Sequence, residues 1–284
     1  MGSGFKNIIL SAIIAMMMLG SCLPDPLDIH DIPQLEQKIV VSSQMLAGQA
    51  VAVLLTKSIG ALDANEHSDP QALLDQIVVA DAVVRIEHNG ESYPLTYAGN
   101  GVYGIITMPL VTGDSYTLFV DSPTAGSVKA TTTVKPSVRF ASVNAKMYIT
   151  GRDTLADISY TINDAAGKNW YMLNAQHLTR DAFEDRILNP RVTTKMLDDV
   201  DFEGKVRSDD FKILFDEVEP GDTLAVMLSN VEEDYFKFMK LREDTRFGLA
   251  AAIGEPINYP TNVEGGLGFF NLFVPDIRVF TLEE

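Results

Sequence analysis

The side chains that could carry out catalysis are few and widely spaced along this chain. The four histidines are His30, His67, His88 and His177; no two lie three to five residues apart, so no His-Glu-x-x-His zinc motif exists. The chain has one cysteine, Cys22, and no Gly-x-Ser-x-Gly elbow. We therefore expect no catalytic residue, no cofactor and no metal centre. A triad or a carboxylate pair assembled from distant positions stays open.

One acidic stretch follows the pattern of a calcium-binding loop. Asp199, Asp201 and Glu203 alternate before Gly204, and Asp210 falls at the twelfth position. The fifth ligand is usually Asp or Asn and the twelfth usually Glu, and here two basic residues also lie inside the loop. The four acids are calcium candidates, and a solvated turn between two strands is the interpretation that the sequence favours.

Cys22 is placed for attachment of lipid. Lys6 precedes an apolar run from Ile8 to Leu19, which is shorter than the roughly 20 residues that a membrane-spanning helix needs. The small residues Gly20 and Ser21 separate that run from Cys22, and together they form a lipobox, the motif at which a signal peptide is cleaved before a lipid-bearing cysteine. We expect a lipoprotein signal peptide over residues 1–21 and cleavage between Ser21 and Cys22. Cys22 should then carry a diacylglyceryl group, whose acyl chains can be labelled with palmitate. An ordinary secretory signal that ends near a free cysteine is the alternative.

The charge of the chain limits its partners. Acidic residues outnumber basic ones by 39 to 22, and the formal net charge is −17. Nucleic-acid-binding proteins need clustered Lys and Arg, so we expect no nucleic acid partner. A solubilising acidic surface is the simplest explanation, with a basic partner or surface cations as alternatives. Because the one cysteine is reserved for lipid, no disulfide can form within the chain and burial must hold the fold together.

The sequence predicts a mainly β protein whose first domain is an immunoglobulin-like β-sandwich. Residues 22–37 are acidic and rich in proline, which is typical of an extended tether. About seven short β-rich runs follow over residues 38–136 at spacings near ten residues. Asn89-Gly90 predicts a two-residue hairpin turn, and Pro70 to Gln76 predicts a short helix.

Residues 137–284 predict a second β-rich domain with one amphipathic helix near 231–245. The alternation of Ile158, Tyr160 and Ile162 indicates a strand with one buried face. Ser229 and Glu232 predict a capping box at the start of the helix, and its apolar stripe consists of Val231, Tyr235, Phe238 and Met239. Trp170 is expected in the core. The chain then has a glycine-rich turn from Gly265 to Gly268 and two final strands, Phe269 to Phe273 and Ile277 to Leu282.

Several short motifs stand out in their order along the chain, and the most extensive is Asn262 to Phe270. The others, besides the lipobox and tether, are Lys38 to Val41, Asp81 to Val84 with Asn89-Gly90, Gly101 to Tyr103, Tyr116 to Leu118, Trp170-Tyr171, Phe202 to Lys205 and Tyr235-Phe236. In this order, the motifs resemble a family of Bacteroides-type lipoproteins known as domain of unknown function number 4249. The resemblance implies an accessory outer-membrane lipoprotein, often encoded beside TonB-dependent transporters, and it supplies no catalytic residues.

These observations lead to one expected function and two alternatives. We expect a lipid-anchored outer-membrane protein, exposed at the cell surface or facing the periplasm, that binds or docks as a non-enzymatic accessory of a TonB-dependent nutrient transporter. A structural surface lipoprotein of the fimbrial kind is the second hypothesis, because fimbrial lipoproteins also pair two β-sandwiches. A surface hydrolase is the third.

Overall fold

The structure is a computed structural model that describes residues 36–46, 50–59, 70–150, 153–178, 192–215, 221, 223–245 and 258–281. Residues Gln37–Glu284 form one compact unit. The predicted tether lies almost wholly outside the described residues. Within the described ranges, no helix is long and apolar enough to cross a membrane.

The first half of the described chain folds into two packed sheets. Its elements are β1 Ile39–Met45, β2 Val51–Lys57, α1 Pro70–Ile77, β3 Val83–His88, β4 Glu91–Gly99, β5 Val102–Ile105, β6 Ser115–Ser122 and β7 Gly126–Thr133. One sheet has the order β1-β2-β5 and the other β4-β3-β6-β7, with β4 passing from the second sheet to the first. This order is that of an immunoglobulin-like sandwich, as predicted. The predicted helix is α1.

Local turn chemistry explains the hairpins of this first sandwich. Asn89 and Gly90 have φ values of 48° and 82°, the left-handed backbone that a type I′ turn requires. Asn100 and Gly101 make a second turn of the same kind between β4 and β5, which the sequence reasoning missed. At the start of β6, the Tyr116 hydroxyl donates to the carbonyl of Pro109 at 2.8 Å and accepts from the amide of Val111 at 2.8 Å. This is the tyrosine corner of immunoglobulin-like folds.

The second half of the chain repeats the same strand order. Its elements are β8 Phe140–Thr150, β9 Asp153–Asn163, β10 Trp170–His177, β11 Val192–Asp198, β12 Val206–Phe215, β13 Thr223–Asn230, α2 Glu233–Thr245, β14 Val263–Glu264, β15 Leu267–Phe269 and β16 Asp276–Thr281. The sheets are β8-β9-β12 and β11-β10-β13-β16. Ile158, Tyr160 and Ile162 are buried between them, as the alternation predicts. Each sandwich thus places its first, second and fifth strands against the other four.

Helix α2 covers the outer face of the larger sheet in the second sandwich. The predicted stripe is confirmed, because Val231 and Tyr235 are buried and Phe238 and Met239 pack against the same core. The predicted capping box is wrong. Ser229 lies on β13, its hydroxyl is buried without a hydrogen-bond partner among the described residues, and the helix begins at Glu233. The Glu232 carboxylate instead accepts a hydrogen bond from the Thr132 hydroxyl at 2.8 Å, because the first sandwich packs beside it.

The segment between α2 and β16 returns to the first sandwich. Residues 262–270, which we call the clasp, carry β14 and β15: β14 pairs antiparallel with β7, and β15 pairs parallel with β1. The clasp thereby joins the outer edges of the two sheets. The predicted strand Phe269–Phe273 is wrong beyond Phe269, because Phe270, Leu272 and Phe273 are irregular in backbone but buried in the core of the first sandwich.

Two glycines without a Cβ and one asparagine side chain let the clasp lie close against the backbones of β1 and β7. A Cβ at Gly266 would lie 2.6 Å from the Ile39 carbonyl oxygen, and one at Gly268 would overlap the carbonyl of Val41. The Asn262 amide donates to the carbonyls of Thr131 (3.0 Å) and Phe270 (2.7 Å), and its oxygen accepts from the Phe270 amide at 2.9 Å. The glycine-rich sequence is therefore a turn followed by a strand that must touch another backbone.

One apolar core continues from the first sandwich through the clasp to the second. The Phe269 ring lies 5.4 Å from the rings of both Tyr235 and Phe238 on α2. Met172, on the outer face of β10, is buried in the same core, and Trp170 packs against it as the predicted anchor. Burial raises the pKa of Tyr235 to about 12. The boundary predicted at residues 136 and 137 falls between β7 and β8, whereas the clasp links across it.

Candidate functional site

The residues predicted to carry the lipid anchor lie outside the described residues. These residues are Ser21 and Cys22. Two of the four histidines, His30 and His67, also lie outside the described ranges. His88 is described: its Nε2 lies 2.8 Å from an Asp114 carboxylate oxygen, and its ring stacks on Tyr116 at 4.2 Å. This arrangement supports the tyrosine corner.

The structure does not bring the four calcium candidates together. Asp199 is buried, and its carboxylate accepts a hydrogen bond from the Asn169 amide at 2.6 Å. Asp201 and Glu203 are exposed on the turn, and Asp210 is exposed on β12. Across the described ranges, no three His, Cys, Asp or Glu side chains converge in a way that could hold a metal ion.

The turn after β11 is organised instead by Asp164 from the neighbouring turn. One Asp164 carboxylate oxygen accepts from the Gly204 amide at 2.6 Å, and the other accepts from the Tyr171 hydroxyl. Burial, followed by the hydrogen bond to Asp164, raises the pKa of Tyr171. The segment between β11 and β12 is therefore a turn that Asp164 holds through the Gly204 amide.

The lateral edges of the second sandwich are its most distinctive chemical features. In the first sandwich, β4 pairs with both β3 and β5, so hydrogen bonds close one lateral edge, and the clasp closes the other. In the described part of the second sandwich, no strand bridges β11 to β12 or β8 to β16. Each of these open edges is crossed by side chains.

At the edge between β11 and β12, three charged side chains meet. Asp209 accepts from Lys195 Nζ at 3.0 Å and from Arg207 Nη2 at 2.8 Å. The hydrogen bond from Arg207, followed by the interaction with Lys195, holds the pKa of Asp209 well below its usual range. The three side chains are between 27% and 39% exposed, so the cluster is a partly solvated ion-pair contact between the two sheets.

Tyr160 lies beneath this ionic cluster. Lys195 Nζ sits 5.5 Å from the centre of its ring. The Tyr160 hydroxyl is buried and has no hydrogen-bond partner among the described residues. Burial, followed by the charge of Asp209, raises the pKa of this phenol. A tyrosine whose pKa is raised stays protonated at neutral pH, so it is not an activated base.

The opposite edge, between β8 and β16, forms a groove of about 280 Å³. The lining residues are Phe140, Ala141, Ser142, Val143, Arg278, Val279 and Phe280. Asp276 spans the groove at one end, where its carboxylate accepts from the Phe140 amide at 2.9 Å and from Arg278 Nη2 at 3.2 Å. We call this feature the β8–β16 groove. Its mixture of rings, an exposed valine and a cation suits binding of a polypeptide.

A shallower depression of about 380 Å³ lies on the outer face of β8, β9 and β12. Small polar side chains line it, including Thr161 and Ser208, whose hydroxyls are 2.9 Å apart. Asp209, Asp210 and Tyr160 also line it, so this open sheet surface offers hydroxyl, amide and carboxylate groups to a ligand.

The sequence reasoning missed both edges for the same reason. Lys195, Asp209 and Arg278 sit on ordinary strand patterns, and their proximity depends on which strands lie at the sheet edges.

Comparison with protein families identifies this chain. The model of the domain of unknown function DUF4249 matches residues 25–275. The chain belongs to the DUF4249 family. The match covers the first sandwich, α2, the clasp motif and the second sandwich except β16. It confirms the resemblance to domain of unknown function number 4249.

Other comparisons add likenesses only. No curated protein matches the chain. Among solved structures, a cytokine receptor complex is 10% identical over 85% of this chain and 95% of that chain, with a TM-score of 0.23. A segment of two fibronectin type III domains from chicken tenascin is 10% identical over 86% and 99%, with a TM-score of 0.23. A DUF4785 family protein from Legionella pneumophila is 13% identical over 67% and 52%, with a TM-score of 0.21. The fold assignment rests on the strand order instead.

Proposed function

We propose that this protein is a lipid-anchored outer-membrane lipoprotein that serves as a non-enzymatic docking accessory of a TonB-dependent transporter. The sequence supports the anchor through the lipobox at Cys22, and membership of the DUF4249 family is consistent with an accessory role. A diacylated cysteine binds a membrane stably, because two acyl chains exceed the marginal hold of one. The expected location is the outer membrane, with the folded unit at the cell surface.

The observation that carries the proposal is the joining of two sandwiches by the clasp. The continuous core through Phe269, Tyr235 and Met172 resists bending between the sandwiches, because separating them would expose buried rings to water. The tether of residues 22–37 can reach about 50 Å when extended. A stiff folded unit that is held at a membrane by an anchored amino end suits a protein that positions itself against a neighbour in the same membrane.

The fimbrial alternative is less well supported by the geometry of β1. Donor-strand polymerisation requires a sandwich that gives up a strand and accepts one from another subunit. β1 pairs with β2 at seven positions and with β15 at three, so both of its edges are occupied. Removing β1 would strip the clasp of its partner and open the first core.

Affinity isolation from intact membranes tests the proposal. The full lipoprotein carrying a C-terminal tag is solubilised in mild detergent, and the Cys22→Ala variant is processed identically. We expect the unaltered chain to fractionate with the outer membrane and to recover a TonB-dependent β-barrel, and the variant to lose palmitate labelling and that partner. Recovery of polymers with an N-terminally cleaved chain would favour the fimbrial hypothesis instead. Equal labelling of the two proteins would refute the anchor.

A further inference from the structure

The last strand of each sandwich lies at the edge of its sheet, and this edge is paired with another strand in the first sandwich but open in the second. In the first sandwich, the last strand, β7, pairs with β14 of the clasp. The equivalent last strand of the second sandwich is β16, which pairs with β13 on one side only among the described residues. The molecule therefore shows, on one copy of its fold, how an extended segment fits this edge, and it leaves the same edge open on the other copy.

The open edge has the properties of a binding surface for an extended chain. A strand at the edge of a sheet presents unpaired backbone donors and acceptors, which readily pair with another strand. Val279, at the middle of β16, is 58% exposed, and the partly buried Phe280 lines the groove beside it. Proteins usually protect such an edge. A β-bulge at Ala141 does so for β8 by shifting its register with β9, but β16 has no bulge in its pairing with β13.

Charge indicates what kind of segment would bind. Arg278 lines the groove with its side chain 48% exposed, and exposed Arg139 immediately precedes Phe140. Among the described residues of β16, the acid is Asp276, which is 13% exposed and is already bonded to Phe140 and Arg278. A locally basic edge on a chain of net charge −17 favours an acidic partner segment.

We propose that the β8–β16 groove binds an extended acidic segment of a partner protein, which adds as an antiparallel strand to the outer edge of β16. This inference rests on the proposed docking function and names the surface and the chemistry of the partner. Apolar side chains of the segment would contact Val279 and Phe280, and its carboxylates would face Arg278 and Arg139.

Site-specific photocrosslinking in intact cells tests this inference. A benzophenone amino acid replaces Val279 in the full lipidated chain, and a matched control carries it at Val206, which is 64% exposed on the edge strand β12. We expect at least about fivefold more crosslinking at position 279, mapped by mass spectrometry to an acidic extended segment of one partner. Equal yields at both positions would overturn the proposal, as would a crosslink to a second copy of this chain or to residues 22–37 of its own tether.

Two substitutions separate this inference from the proposed function. Arg278→Glu should reduce the crosslink at position 279 about tenfold, equivalent to about 1.4 kcal/mol, and Arg242→Glu on α2 serves as the charge-matched control. Val279→Asp should weaken recovery of the partner without lowering the urea midpoint, because this side chain is already exposed. If the transporter is recovered equally well with Val279→Asp and Arg278→Glu, the groove assignment is wrong while the docking function stands. If no transporter is recovered with the unaltered chain, the docking function itself fails.

Discussion

The two sandwiches share one strand order but close their lateral edges by different means. Backbone pairing closes both edges of the first sandwich, through the crossing strand β4 and through the clasp. Side chains span both edges of the second, through Asp209 on one side and Asp276 on the other. The difference teaches that strand order alone does not decide how accessible a sandwich is. One edge of the first sandwich is closed by its own strand β4, and the other is closed by the clasp, which comes from a distant part of the chain.

The largest expected effect comes from breaking the clasp at Gly268. Gly268→Ala places a Cβ against the Val41 carbonyl at a residue with φ of +89°. Backbone overlap and left-handed strain together should lower the free energy of unfolding by about 4 kcal/mol. Urea unfolding measures this loss.

Gly126→Ala is the matched control for that substitution. Gly126 has the same φ, but a Cβ there meets no atom within 4 Å. It should lose only the conformational part, about 1 kcal/mol. Equal losses in the two variants would mean that strain, and not the contact between β15 and β1, sets the cost.

A smaller effect is expected from Asn262→Ala, which removes the side chain that fixes the clasp. Three hydrogen bonds to Thr131 and Phe270 disappear, and partly buried backbone groups lose their partners. We expect a loss of about 2–3 kcal/mol in the free energy of unfolding. Asn144→Ala, at an exposed position of β8, should stay within about 0.5 kcal/mol of the unaltered protein. A loss below that limit for Asn262→Ala would show that the clasp does not depend on this side chain.

The ionic edge of the second sandwich should respond to acid. Because the pKa of Asp209 is lowered in the folded protein, its stabilisation is present above the unfolded value near 3.9 and is lost as pH falls below it. Asp209→Asn should cost about 1–2 kcal/mol at pH 7, since two cations lose their partner. That cost should shrink as the pH falls below about 4.

Urea midpoints of Asp209→Asn measured at pH 7 and pH 3 test this expectation. Asp198→Asn, at an exposed position of β11, is the control and should change stability little at either pH. A cost for Asp209→Asn that is the same at both pH values would contradict an electrostatic role for the cluster.

The smallest effect is expected from removing the Tyr160 hydroxyl. This group is buried without a described partner, so Tyr160→Phe should change stability at pH 7 by less than about 0.5 kcal/mol or raise it slightly. Tyr171→Phe is the matched comparison and should cost about 1.5 kcal/mol, because its hydroxyl donates to Asp164. A cost for Tyr160→Phe equal to that of Tyr171→Phe would reveal a hydrogen bond at Tyr160.

The hydroxyls of Tyr160 and Tyr171 should also make the free energy of unfolding depend on pH in alkaline solution. Their pKa values are raised in the folded state, so the unfolded chain releases these protons first. Stability should therefore fall as pH rises above about 10, and less steeply in either Phe variant. Thermal unfolding between pH 8 and 11 measures the slope, and parallel curves for all three proteins would contradict the assignment.

Local patterns predicted the elements of this fold that depend on neighbouring residues. Alternation identified β9, Asn89-Gly90 identified a hairpin, and apolar spacing identified α2, since each of these features arises within about a dozen residues. The capping-box prediction failed because Thr132, about 100 positions earlier in the chain, competes for the carboxylate of Glu232. A motif of four consecutive residues contains no information about a hydrogen-bond donor so far away in the sequence.

The clasp and the β8–β16 groove could not be predicted in this way. β14 and β15 span two and three residues, too few to show a period, and β15 pairs with β1 at the other end of the unit. The groove depends on which strands stand at sheet edges, which only the assembled topology reveals. The motif Asn262 to Phe270 carried the family resemblance, but its spacing did not indicate what it touches.

The pairing of Val41 with Gly268 also bears on how the protein is made. Synthesis starts at the amino end, so β1 is made long before its second neighbour, β15. We expect the first sandwich to stay incompletely sealed until the last part of the chain has been made. Its exposed edge would then be open to wrong pairing for most of that time.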